Sequence, residues 1–74
     1  QDFQINLIHG GMVKFIINDM TGRVIDITSS QWMPYGQSVY NYNKNLSEGY
    51  YYVSLELDGQ VVSSNNLIIY SHSH

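Results

Sequence analysis

Alternation of apolar and polar side chains at every second residue limits what this chain can become more than any other feature. From Tyr50 to Leu57, the residues Tyr51, Val53, Leu55 and Leu57 share one parity, and Tyr50, Tyr52, Ser54 and Glu56 share the other. Successive side chains of an extended backbone point to opposite faces, so such a run reads as a strand buried on one side. The same pattern runs through Phe3, Ile5 and Leu7, with Asp2, Gln4 and Asn6 between them. It returns at Val13, Phe15 and Ile17, and again where Val39 opposes Tyr40 and Tyr42. No segment carries apolar residues at helical spacing over three turns.

Turn chemistry separates these runs. His9-Gly10-Gly11 is expected to reverse the chain tightly, because a glycine pair supplies positive φ without steric cost. Asp19-Met20-Thr21-Gly22 reads as a second turn, in which the aspartate bonds forward to backbone amides. A strand from Arg23 to Thr28 follows, with Ile25 and Ile27 on one face, and the first three strands are expected to form a meander. Ser29 to Gly36 breaks the pattern; Trp32 and Tyr35 within it are expected to fold back as a lid on the core. Leu46-Ser47-Glu48-Gly49 bends into the long strand, and Asp58-Gly59 is a hairpin signal. Beyond it, Gln60 to Ser63 and Leu67 to Tyr70 read as strand, with a bulge at Ser64-Asn65-Asn66 to change face. The outcome is an all-β fold: a small immunoglobulin-like antiparallel β-sandwich of six to seven strands over residues 1–70, with residues 71–74 as a flexible tail.

Size and charge narrow the function. A chain of 74 residues without cysteine holds one thin-cored domain and no disulfide, so a module of this kind reads as a piece of a longer protein. No apolar run is long enough to span a bilayer, and Gln1-Asp2-Phe3-Gln4 does not read as a signal peptide. Lys14, Arg23 and Lys44 are the three cations in a chain of net charge −3. Nucleic-acid binding lacks its main energetic contribution and is not expected.

Two segments carry a family resemblance. Val13-Lys14-Phe15-Ile16-Ile17-Asn18-Asp19-Met20-Thr21-Gly22-Arg23-Val24-Ile25 is a strand, an Asp-x-x-Gly-Arg turn and a second apolar strand. Asn45-Leu46-Ser47-Glu48-Gly49-Tyr50-Tyr51-Tyr52-Val53 follows a Leu-Ser-x-Gly-x-Tyr pattern, and Asp58-Gly59 and Leu67-Ile68-Ile69 supply a final hairpin and strand. In order and spacing, over about residues 2 to 70, these resemble the C-terminal sorting domain of type IX secretion cargo from Bacteroidetes. The Asn-Pro segment usual ahead of the first strand is missing, and the usual basic tip is replaced by Tyr70-Ser71-His72-Ser73-His74. The resemblance implies recognition by secretion-machinery proteins of the outer membrane. It also implies passage through the periplasm and delivery of a larger cargo to the cell surface or medium. The residues that carry it are Asp19, Gly22, Arg23, Leu46, Gly49 and Tyr51. Folding alone explains such residue types; the functional alternative makes Arg23 and its turn a docking surface. The apolar strand Leu67 to Tyr70 is a second candidate, for recognition by strand addition.

Other constellations are weaker. His9 reads as a solvated loop residue. His72 and His74 would point the same way on a strand, but without a third ligand nearby no metal site is expected, nor any other cofactor. The carboxylates fall mostly at turns (Asp2, Asp19, Glu48, Asp58), and no serine sits in a nucleophile elbow, so an enzyme is not expected. Asn45-Leu46-Ser47 fits a glycosylation tripeptide that arises often by chance. Aromatic residues make up 14% of the chain. Trp32, Tyr40, Tyr50 and Tyr52 are expected to form an exposed face, with Tyr40 and Tyr42 pairing across strands with Tyr50 and Tyr52. Such a face either stabilises the sheet or stacks on a glycan, which leaves a carbohydrate-binding module and a structural spacer as alternatives to sorting.

Overall fold

The computed structural model describes residues 1–70. Its strands are β1 (Asp2–Leu7), β2 (Gly11–Asp19), β3 (Val24–Ile27), β4 (Gln31–Met33), β5 (Gly36–Asn41), β6 (Gly49–Leu57) and β7 (Gln60–Ile69). They form an antiparallel β-sandwich of two sheets. One is the pair β1-β5; the other runs β3-β2-β6-β7, with β4 also paired to β2. β3 meets Ile16 to Asn18 and β4 meets Gly11 to Val13, so the two short strands lie end to end along one edge of β2. Thr28 mends the gap between them: its N–H donates to the Phe15 carbonyl at 3.0 Å, and its hydroxyl accepts from the Phe15 N–H at 2.9 Å.

The alternation fills the interior as the sequence implies. Val13, Phe15 and Ile17 of β2 face Ile5 and Leu7 of β1, and Tyr51, Leu55 and Leu57 of β6 complete the floor; all are buried. Two clusters result. One centres on Val13, Phe15, Leu55 and Leu57, the other on Ile17, Tyr42, Tyr51 and Leu67, and Phe3, Tyr40 and Val53 touch both. Rings join them: Phe3 lies 4.9 Å from Phe15 and 5.3 Å from Tyr42, and Phe15 lies 4.7 Å from Tyr40. Each such pair adds about 0.5–1.5 kcal/mol to its area burial, which matters in a core this small.

Several expectations give way. The first three strands are not a meander, because β1 pairs with β5 (Phe3 opposite Tyr40) and only β2 and β3 form a hairpin. His9-Gly10-Gly11 therefore carries the chain from one sheet to the other. Gly11 has its own reason to be small: a Cβ there would come within 2.7 Å of both Asp58 carboxylate oxygens. The third strand begins at Val24 rather than Arg23. Trp32 and Tyr35 are no lid; both are exposed, and Met33 takes the core position because β4 turns that residue inward. The Trp32 ring lies instead beside Gly10, where an added Cβ would meet it at 3.0 Å. The β7 bulge sits at Val62, beside the hairpin, since Leu55 pairs with Ser63 and Glu56 with Val61. Ser64, Asn65 and Asn66 run through in regular register.

Candidate functional site

The β2–β3 turn is built around one carboxylate. Asp19 Oδ1 accepts from the Thr21 hydroxyl at 2.6 Å, the Thr21 N–H at 2.9 Å and the Arg23 N–H at 3.1 Å. The backbone closes beneath it, with Gly22 N–H donating to the Asp19 carbonyl at 3.0 Å and Asp19 N–H to the Arg23 carbonyl at 2.9 Å. Asn18 Nδ2 donates to the Gly22 carbonyl at 3.1 Å. Gly22 sits at φ +89°, a conformation L side chains rarely adopt. The Thr21 hydroxyl foremost, with the backbone amides of Arg23 and Thr21 and the Arg23 charge, holds the Asp19 carboxyl below its ordinary range, against burial, which is the second-largest influence and pushes it up. Arg23 Nε lies 3.4 Å from Asp19 Oδ2, with its side chain 77% exposed.

The second segment packs from the other side of the same end. Leu46 is half-buried against the cluster of Ile17, Tyr42, Tyr51 and Leu67. Gly49 enters β6 at φ +153°. The Tyr51 ring is buried and its hydroxyl donates to the Ser47 carbonyl at 2.7 Å, which fixes the bend over the core. The two segments meet through β-ladder register: Asp19 stands opposite Tyr51. Gly49 in turn stands opposite Ile69, so the last residues of β7 belong to this end too. Met20 and Val24, which flank Arg23 in sequence, are exposed, as are Tyr50 in β6 and Tyr70 just after β7. The exposed residues of this end mix these apolar side chains with Thr21, Ser47, Glu48 and the Arg23 cation.

The aromatic set divides. Trp32, Tyr50 and Tyr52 lie exposed on the outer face of the five-stranded sheet, where Trp32 pairs with Met12 and Tyr52 with Asn18. Tyr40 does not join them: it faces inward, its ring 4.7 Å from Phe15 and 6.3 Å from Phe3. Neither Tyr40 nor Tyr42 pairs with Tyr50 or Tyr52, because β5 belongs to the other sheet. At about 3.3 Å per residue, the six positions from Met12 to Asn18 hold Trp32 and Tyr52 about 20 Å apart along the strands. A depression of about 490 Å³ lies over the outer face of β1 and β5, lined by the amides of Gln4, Asn6 and Gln37 and by no ring.

Asp26 has a role that the pattern of residues did not assign. It is the one charged residue of an otherwise apolar β3, and that oddity was the available signal. It accepts from the Tyr42 hydroxyl at 2.7 Å and from Lys44 Nζ at 3.0 Å. Among the described residues no group of three or more His, Cys, Asp or Glu is placed to hold a metal ion. His72 and His74 lie outside the described residues, as does the tail from 71 to 74. Among the described residues no helix is long and apolar enough to cross a membrane. No family model, no curated protein and no solved structure matches the chain.

Proposed function

We propose that this domain is a sorting module of the type IX kind, read as a folded surface by secretion-machinery proteins of the outer membrane. It would travel through the periplasm and deliver a larger cargo to the cell surface or medium. One observation carries the reading: the two segments that resemble the family, far apart in sequence, meet at one end of the sandwich, with Asp19 opposite Tyr51. Within that end Asp19, Gly22, Leu46, Gly49 and Tyr51 set the shape, and Arg23 offers the charge. A docking protein would meet a planar guanidinium flanked by the exposed apolar side chains of Met20 and Val24, and arginine beside apolar contacts anchors many protein interfaces.

The test is export. Residues 1–74 fused behind a periplasmic reporter, in a host with the type IX machinery, should place the reporter on the cell surface or in the medium. Arg23→Ala should cut that delivery while leaving the melting temperature unchanged. Retention of the folded wild-type fusion in the periplasm would sink the proposal.

A second reading follows from the exposure of Trp32, Tyr50 and Tyr52 on one sheet face. Stacking of these rings on a glycan predicts array binding that disappears in a Tyr50→Ala/Tyr52→Ala double variant. The distance of Trp32 from Tyr52 and the ringless depression on the other sheet make it the weaker of the two.

A further inference from the structure

One flank of the sandwich is closed and the other is open. On the β3 side, Tyr42 and Lys44 reach across to Asp26. On the opposite side β1 and β7 end their sheets, and between them lies a cleft of about 210 Å³. Its base is formed by Phe3, Phe15, Val53 and Leu55, and its β7 wall by Ser63 and Asn65. The two-stranded sheet stops short of that wall. Ser63 and Asn65 are exposed although Ser63 pairs with inward-facing Leu55 and Asn65 with Val53. One more strand beside β1, about 4.8 Å from it, would lie over these residues and fill the cleft.

The β1 edge is shaped to take such a strand. Tyr42 N–H donates to the Gln1 carbonyl at 2.8 Å, so by antiparallel alternation the odd-numbered residues of β1 direct their backbone groups toward β5. Asp2, Gln4 and Asn6 then direct theirs outward. Edge strands are commonly guarded by lysine, proline or a bulge. β1 has no lysine or proline, and its register with β5 is unbroken from Asp2 to Leu7. A strand added to β7 instead would extend the larger sheet with nothing opposite it.

Charge identifies the occupant further. All three cations are engaged: Lys14 with Glu56, Arg23 with Asp19, Lys44 with Asp26. Among the described residues no cation stands within ion-pair distance of Asp2, Glu48 or Asp58, and Asp2 is the one that lines the cleft. We propose that the flank between β1 and β7 receives an extended segment of a partner chain. That segment carries small apolar residues at alternate positions and a cation beside Asp2. The inference rests on the open flank and is independent of the sorting reading.

The probe is an amidated synthetic peptide, Lys-Val-Thr-Val-Thr-Val-Thr, which puts the lysine on the outward face with Asp2 and the valines on the inward face; it is titrated into the isotopically labelled full chain. At saturation, amide exchange at Asp2, Gln4 and Asn6 should slow at least about tenfold, with shift changes centred on Phe3, Val53 and Asn65. Replacing the peptide lysine by glutamate should weaken binding about threefold or more. Gln4→Pro removes one outward N–H from an edge where proline is tolerated, and should weaken binding at least about tenfold. Asn65→Arg blocks the cleft from the β7 side without touching β1 and should do the same, which covers the case that Gln4→Pro fails to fold. Three outcomes overturn the proposal: no slowing of exchange at the three amides, unchanged binding in a folded variant, or shift changes confined to Arg23 and Tyr50 or to Trp32. Slowing that grows with protein concentration without peptide would assign the flank to a second copy and overturn it too.

Discussion

The Tyr42 hydroxyl donates to Asp26 Oδ2 across 2.7 Å and so ties the β5 end of the smaller sheet to β3 of the larger one. Lys44 Nζ reaches the other oxygen of the same carboxylate at 3.0 Å. Burial, then the bond to Asp26 and that group's charge, pushes the Tyr42 phenol far above its ordinary range. The same bond, followed by the Lys44 contact, holds Asp26 below its ordinary range.

This pair gives the domain two pH limits. Asp26 is lowered from 3.8, so its contribution is present above about pH 4 and is lost as the pH falls through the folded value. Tyr42 is raised from 10.0, so its contribution is complete below pH 10 and is lost as the pH rises beyond it. Melting temperature should be flat between those limits and fall on both sides. Tyr42→Phe should cost about 1–2 kcal/mol of stability between the limits and flatten the alkaline limb. An alkaline limb identical to that of the wild type would show that the hydroxyl does not close the flank.

Gly11 and Asp58 should behave as one unit. Met12 N–H donates to Asp58 Oδ1 at 2.9 Å, and Asp58 N–H donates to the Met12 carbonyl at 2.8 Å. The carboxylate thereby occupies the space a Gly11 side chain would need. Gly11→Ala should cost about 1–3 kcal/mol in urea denaturation. In the Asp58→Ala background that cost should shrink, a coupling of about 0.5–3 kcal/mol. Strict additivity of the two changes would contradict the contact.

The Asp19 turn separates shape from charge. Gly22→Ala meets no neighbouring atom within 4 Å but retains the positive φ, so it should cost about 1–2 kcal/mol, and Gly22→Asn less. Asp19→Ala removes three accepted bonds and should lower the midpoint more than Arg23→Ala, which should leave it within error of the wild type. Denaturation of the purified variants checks the ranking. A large loss of stability in Arg23→Ala would make that residue a folding element.

Ile17 is fully enclosed and stands opposite Val53 in the ladder between β2 and β6. Ile17→Val should cost about 0.5–1.5 kcal/mol and Ile17→Ala about 2–5 kcal/mol. The latter is a large part of the ~4–11 kcal/mol expected for a domain of this size. Calorimetry on the two variants measures the difference.

The sequence made the strands legible far better than their partners. β6 was readable to within one residue, because Tyr51, Val53, Leu55 and Leu57 alternate without interruption and Asp58-Gly59 ends the run. The inward set of β2 was equally plain. Pairing was not, since β1 and β5 share only a common alternation, and nothing local distinguishes a partner 39 residues away from the adjacent strand. Trp32 misled for a related reason. In a three-residue strand one position decides which side chain enters the core, and the register with Met12 gave that place to Met33. At the candidate site, the turn chemistry of Asp19 and Gly22 was readable from residue types, as was the buried ring of Tyr51. Their meeting depended on the β2–β6 register, and the role of Asp26 on a tyrosine from the other sheet.

The pairing of β1 with β5 also dictates an order of assembly. Hairpins β2–β3 and β6–β7 close over short loops and can form within microseconds, whereas β1 must wait for a partner far along the chain. Until it arrives, the larger sheet presents Val13, Phe15 and Leu55 to water. The step that completes the smaller sheet is therefore the step that ends exposure to aggregation, and anything that delays it lengthens the life of the sticky species.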